Sequence, residues 1–139
     1  MNDPFNLQRF VTAQAPVFEQ VRAELSEGRK RTHWMWFVFP QIAGLGFSPM
    51  ARKFAISSLE EARAYLRHPT LGPRLKACTM LVVKAEGRSA GDIFGFPDDL
   101  KFRSSMTLFS RAAATNSIFA EALQKYFAGE ADPETLTRL

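Results

Sequence analysis

The 139-residue chain predicts an all-α fold, a compact multi-helical single domain over residues 1–139 with buried central helices. Three observations carry that expectation. Ser, Asp or Asp-Pro repeatedly stands ahead of runs whose apolar residues recur every three or four positions, and Gly or Pro closes them. Strand-forming content gathers in one short run, "MWFVF" at 35–39, and a lone strand makes no sheet. Finally, 13 phenylalanines in a chain that is 46% hydrophobic imply an aromatic core. Each buried ring removes on the order of 150–250 Å² from water, so no metal or disulfide staple is needed at this length.

The elements follow in order. Asp3-Pro4 offers a capping acceptor and a first-turn proline for a helix whose Leu7, Phe10 and Val11 share a face, and Pro16 ends it. Phe18, Val21 and Leu25 repeat at helical spacing up to Gly28, a natural left-handed stop. "MWFVF" reads as buried helix because the signals around it are helical. Ser48-Pro49 opens a short helix, and Ser57-Ser58-Leu59-Glu60 reads as a capping box for one that runs to His68 before Pro69. Leu71, Leu75, Cys78 and Val82 stripe the next, which stops by Gly87. Ser89 caps a single turn through Ile93 and Phe94, and Asp98 caps a long helix through Phe109. That helix is apolar round most of its circumference, as a central bundle helix is. Ile118 to Phe127 forms the last long helix, and Asp132-Pro133 opens a terminal turn.

Composition narrows the function classes. The start, "MNDPFNLQRF", lacks a secretory pattern, and the longest apolar run, Trp34 to Pro40, is too short to span a bilayer. A cytoplasmic protein with no membrane partner is expected. One cysteine, Cys78, excludes an internal disulfide, and no CxxC or HxxxH spacing marks a metal site, so neither metal nor cofactor is predicted. A net charge of +4 allows an anionic ligand. Arg29, Lys30 and Arg31 fall short of a nucleic-acid stripe and read as a solvated helix end; nucleic acid is not expected as a partner. Glu60 and Glu61 with Arg63 and Arg67 read as exposed helix-face pairs.

Two segments mix core-type residues with more polar groups than a neutral core tolerates: "GRKRTHWMWFVFPQIAGLG" at 28–46 and "PDDLKFRSSMTLF" at 97–109. If they meet, Asp98 or Asp99 could orient His33 as a general base. Trp34 or Trp36 could stack on a ring, and Gln41, Lys101, Arg103, Ser104 and Ser105 could bind the ligand. The alternative is structural. The tryptophans then belong to the core, His33 cross-links helices, and the hydroxyls bond back to carbonyls of their own helix. "AGLG" at 43–46 lacks the Lys-Ser/Thr and the preceding strand of a phosphate loop.

At these segments the chain resembles the uncharacterised helical family catalogued as domain of unknown function 1810. The motifs are "DPFNLQRFVTAQ", "GRKRTHWMWFVFPQIAGLGFSPMARKFAI", "SLEEARAYLRHPTLGPRL", "IFGFPDDLKFRSSMTLF" and "LQKYFAGEADPETL", in order over nearly the whole chain. The resemblance implies a multi-helical domain with buried central helices and no established activity. Some members carry the label calpastatin, which implies a long disordered inhibitor and conflicts with this aromatic-rich composition. The acidic-Leu-Lys turn entering a buried helix is also similar to helical domains of ADP-ribose and riboflavin-intermediate metabolism that hydrolyse N-glycosidic bonds, an analogy of pattern. The resulting expectation is an enzyme acting on a small anionic or nucleotide-like metabolite, N-glycoside hydrolysis included. The alternative is a binding or interaction module, with the polar cluster serving helix packing.

Overall fold

Short-range chemistry starts the helices. The computed structural model describes residues 2–139, among which ten helices form: α1 (Gln8–Gln14), α2 (Phe18–Ser26), α3 (Met35–Val38), α4 (Pro49–Lys53), α5 (Leu59–Arg67), α6 (Leu71–Lys84), α7 (Ala90–Phe94), α8 (Asp98–Ala112), α9 (Ile118–Phe127) and α10 (Pro133–Thr137). Side-chain oxygens of Ser48, Ser58, Ser89, Ser117 and Asp132 accept from backbone amides in the first turns of α4, α5, α7, α9 and α10. Each such cap is worth about 1 kcal/mol. Gly28 closes α2 at φ 75°, the left-handed conformation expected of it.

Three starts differ from the expected ones. The first helix begins at Gln8, not Pro4, because Asp3 reaches over a turn containing Asn6 at φ 53° to accept from Leu7 N and Gln8 N at 2.8 and 3.0 Å. The box at residues 57–60 sits one residue later: Ser58 caps Glu61 N, and Glu61 returns to the backbone and hydroxyl of Ser57. Asp98 is the first residue of α8 and does not cap it; its carboxylate is drawn away to lysines. "MWFVF" supplies one helical turn, after which Phe39 leaves helical geometry ahead of Pro40.

Helix α8 is the centre, packed against α5, α7, α9 and α10, while α6 joins α2, α5 and α9. Phe102, Met106, Leu108 and Phe109 are all buried, as a helix apolar on several sides requires. Tyr65 meets Phe10 edge-on with centroids 5.1 Å apart and lies 5.2 Å from Phe109. Farther along α8, Phe102 stacks on Phe94 at 4.6 Å, and Phe39 stands edge-on to it at 5.0 Å. Such pairs add about 0.5–1.5 kcal/mol each beyond the area they bury.

Two charged anchors hold the periphery. Arg9 donates to the carbonyls of Phe5, Asn6, Lys53 and Ala55 and to Glu61 at 3.0 Å. Glu61 is therefore a buried partner of the N-terminal helix and not an exposed helix-face residue. The second anchor lies beside the cleft described next. A parallel bridge, Ile42 with Ile56, fixes the loop after Pro40: Ile56 N donates to Gln41 O at 2.9 Å and Ala43 N to Ile56 O at 2.8 Å.

Candidate functional site

The polar residues after Gly28 fold around one carboxylate. Glu24 follows Val21 by three positions, so it points from α2 into the interior and is buried. It accepts from Arg31 N at 2.7 Å, Thr32 N at 3.0 Å, Thr32 Oγ1 at 2.6 Å, Trp34 Nε1 at 2.9 Å and Gln20 Nε2 at 2.9 Å. Burial alone would raise its pKa, but the donors from Thr32, Arg31 and Gln20 outweigh that and bring it from 4.5 to about 2. Trp34 is accordingly an interior residue tied to Glu24, with no face offered to a ligand.

The two polar segments do meet, through Lys30. Its backbone amide donates to Ile93 O at 2.7 Å, and its ammonium lies 3.0 Å from Asp98 Oδ2 with only 8% of the side chain exposed. Lys30 is thus not part of a solvated helix end, although its neighbours Arg29 and Arg31 are exposed. Lys101 reaches Asp98 Oδ1 from the next turn at 3.3 Å. His33 is exposed and, among the described residues, forms no ion pair and no side-chain hydrogen bond. Asp99 accepts from the adjacent Leu100 N at 2.9 Å. The geometry joins neither aspartate to His33.

The polar side chains of α8 clasp the segment before α10. Arg103 donates to Glu130 O and Ala131 O at 2.9 and 3.0 Å. Thr107 Oγ1 donates to Arg103 O at 2.8 Å and accepts from Asp132 N at 2.9 Å. Ser104 Oγ lies 3.1 Å from both Leu100 O and Asp132 Oδ2. Ser105 Oγ is enclosed and has no hydrogen-bond partner among the described residues. Of these four, only Ser104 also reaches the cleft.

That cleft, about 420 Å³, opens between the 41–48 loop, the start of α8 and the start of α10. Trp36, Gln41, Phe47, Leu100, Lys101 and Asp132 line it. Lys101 Nζ stands 5.8 Å from the Trp36 ring centroid. The Gln41 amide makes no hydrogen bond among the described residues, whereas the buried Gln14 amide donates to Phe37 O and Tyr65 Oη. Phe47 and Leu100 leave 76% and 48% of their surface in solvent, an apolar rim. A more enclosed recess of about 140 Å³ shares Trp36, Gln41, Gly46 and Ala51 with the cleft and reaches Arg52 and Phe54.

Of the expected ligand-contacting residues, Trp36, Gln41, Lys101 and Ser104 line one cleft; Trp34, Arg103 and Ser105 do not. Phe47, Arg52 and Asp132 are not among the site residues expected from the sequence. Asp132 carried a signal, since an Asp before Pro at a helix start is a fixed acceptor. Phe47 and Arg52, in and after a glycine-containing loop, carried none. Among the described residues no three His, Cys, Asp or Glu side chains gather as metal ligands would. Nor is any helix long and apolar enough to cross a membrane.

Comparison with known proteins adds a family and a close structural relative. The model of the family described as "Protein of unknown function (DUF1810)" matches residues 4–139. The crystal structure of the conserved hypothetical protein Rv1873 from Mycobacterium tuberculosis is similar with a TM-score of 0.97 at 60% identity, covering 99% of this chain and 98% of that one. No curated protein matches the chain.

Proposed function

The chain belongs to the family of unknown function DUF1810, and since membership brings no activity with it, we propose from the cleft itself that the protein binds a small anionic ligand bearing a flat ring, of the nucleotide type. The observation that carries this reading is the half-buried Gln41 amide. It spends no hydrogen bond on the protein and lines the same cleft as the Trp36 ring and the Lys101 ammonium. An indole face takes any base, at about 1–3 kcal/mol per stacked ring, and Gln41 supplies the directional donor and acceptor. Because Lys30 already neutralises Asp98, Lys101 retains attraction for an anion arriving at the rim.

A hydrolytic version of this reading needs an acid and a base against the ligand. Asp98 is held between two ammonium groups, and Asp132 is spent on Ser104 Oγ, Thr135 N and Thr135 Oγ1. His33 is not among the residues lining the cleft. Binding is therefore the function supported best, and no proton transfer is assigned.

Isothermal titration with adenosine and AMP tests the proposal. Trp36→Ala should weaken both by roughly 5- to 150-fold, the equivalent of one lost stack. Lys101→Ala should weaken AMP several-fold and spare adenosine, and His33→Ala should change neither. A panel of nucleosides and nucleotides that neither binds nor raises the melting temperature would remove the reading.

A further inference from the structure

The glycine loop beside the recess holds donors that the fold leaves unspent. The backbone amides of Gly44, Leu45, Gly46 and Phe47 donate no hydrogen bond among the described residues, although Ala43 N on one side bonds Ile56 O and Ala51 N on the other bonds Ser48 Oγ. Backbone N–H groups are strong donors that find a partner in the protein, in water or in a ligand. Gly44 sits at φ 99°, a conformation that lets successive amides converge as they do around bound oxyanions. All four residues border the recess or the cleft.

The recess is kept open by small residues. A Cβ on Gly46 would lie 2.6 Å from Ala51 Cβ, and Ala43, Gly44 and Ala55 are further small residues in the lining. Arg52 is the one cation among the lining residues, and its exposed side chain forms no ion pair and no hydrogen bond among the described residues. The short α4 contributes Arg52 and not its own N-terminus, which Ser48 already caps. Lys101, by contrast, stands at the rim of the wider cleft, 3.3 Å from the Asp98 carboxylate that it shares with Lys30.

Building on the cleft reading above, we infer that the recess is an oxyanion seat, in which Arg52 and the 44–47 amides hold a phosphate-sized group while the attached ring lies against Trp36. The ligand class narrows to phosphomonoesters of ring compounds, or similarly compact dianions. A planar guanidinium matches two phosphate oxygens at once, and unspent amides supply neutral donors around the rest. The sequence "AGLG" then serves without the lysine of a phosphate loop, because the cation arrives from residue 52.

Titration of the whole protein with inorganic phosphate, beside adenosine, tests this. Phosphate should bind, and Arg52→Ala should weaken it at least tenfold, well beyond the several-fold loss from Lys101→Ala at the rim, while leaving adenosine within twofold. Gly46→Ala should fill the recess and abolish phosphate binding; Arg52 is exposed, so its variant decides the matter if the glycine variant does not fold. Phosphate lost with Lys101→Ala and kept with Arg52→Ala would move the anion to the rim and overturn the seat. Adenosine binding that depends on Trp36 without any phosphate binding would overturn the seat and leave the ring reading standing. No binding of either probe would remove both.

Discussion

Glu24→Ala should cost about 4 kcal/mol or more in urea unfolding, a large part of the 5–15 kcal/mol that holds a domain of this size together. The variant strips the acceptor from Trp34 Nε1 in the interior and from Arg31 N, Thr32 N, Thr32 Oγ1 and Gln20 Nε2 in part-buried surroundings. Buried donors left without a partner cost about 1–3 kcal/mol each. Glu24→Gln keeps one acceptor oxygen but turns an amide NH₂ towards the remaining donors, so an intermediate loss is expected. The same group sets an acid limit. Its folded pKa of about 2 lies below the ordinary 4.5. The contribution is therefore complete above pH 4.5 and is lost as pH falls from 4.5 towards 2. At about 1.4 kcal/mol per pKa unit, roughly 3 kcal/mol disappears over that window. Unfolding measured between pH 6 and pH 2.5 should show a steep decline in the wild type and a flatter one in Glu24→Gln; equal slopes would refute the assignment.

Asp98→Asn should destabilise the fold by about 2–3 kcal/mol, less than the ~3–5 kcal/mol for one member of a fully buried ion pair, because the Asp98 side chain is 20% exposed. Lys30 would keep a buried ammonium with its carboxylate gone, while Lys101, 30% exposed, could turn to solvent. Lys30→Met in the Asp98→Asn background should recover most of the loss, because no uncompensated charge then remains. Chemical unfolding of the two single variants and the double variant measures the coupling. An Asp98→Asn protein as stable as wild type would show that Lys30 does not need this partner. It would return Asp98 to the pool of groups free to act on a ligand.

What could be read from the sequence was what neighbouring residues decide. Ser89 with Asp92 closes a capping box within one turn, and Ser48-Pro49, Ser117 and Asp132-Pro133 act over comparable distances, so these starts fall at or near their expected positions. Phe102, Met106 and Phe109 share one face of α8 while Thr107 and Leu108 lie toward another, a pattern that demands burial on more than one side and marks the central helix. Arg9 meets Glu61 across 52 positions, a pairing no local pattern announces. Glu24 offered a clue, since an acid between Val21 and Leu25 on the apolar stripe must find donors. Lys30 offered none, because the middle member of "RKR" looks like its exposed neighbours until the start of α8 is laid against it. The same division runs through the cleft. Trp36, Gln41 and Lys101 stood out by residue type in two suspicious segments, whereas Arg52 becomes relevant only through the space that Gly46 and Ala51 leave beside it.

The two tryptophans, one residue apart from being neighbours, make unlike emitters. Trp34 has its indole N–H fixed on an interior carboxylate, and Trp36 borders an open hollow. Collisional quenchers such as iodide therefore reach one fluorophore and not the other. Trp36→Phe leaves a lone chromophore whose colour follows the interior, and Trp34→Phe leaves one that follows occupancy, so the unlabelled polypeptide can be watched optically from both sides.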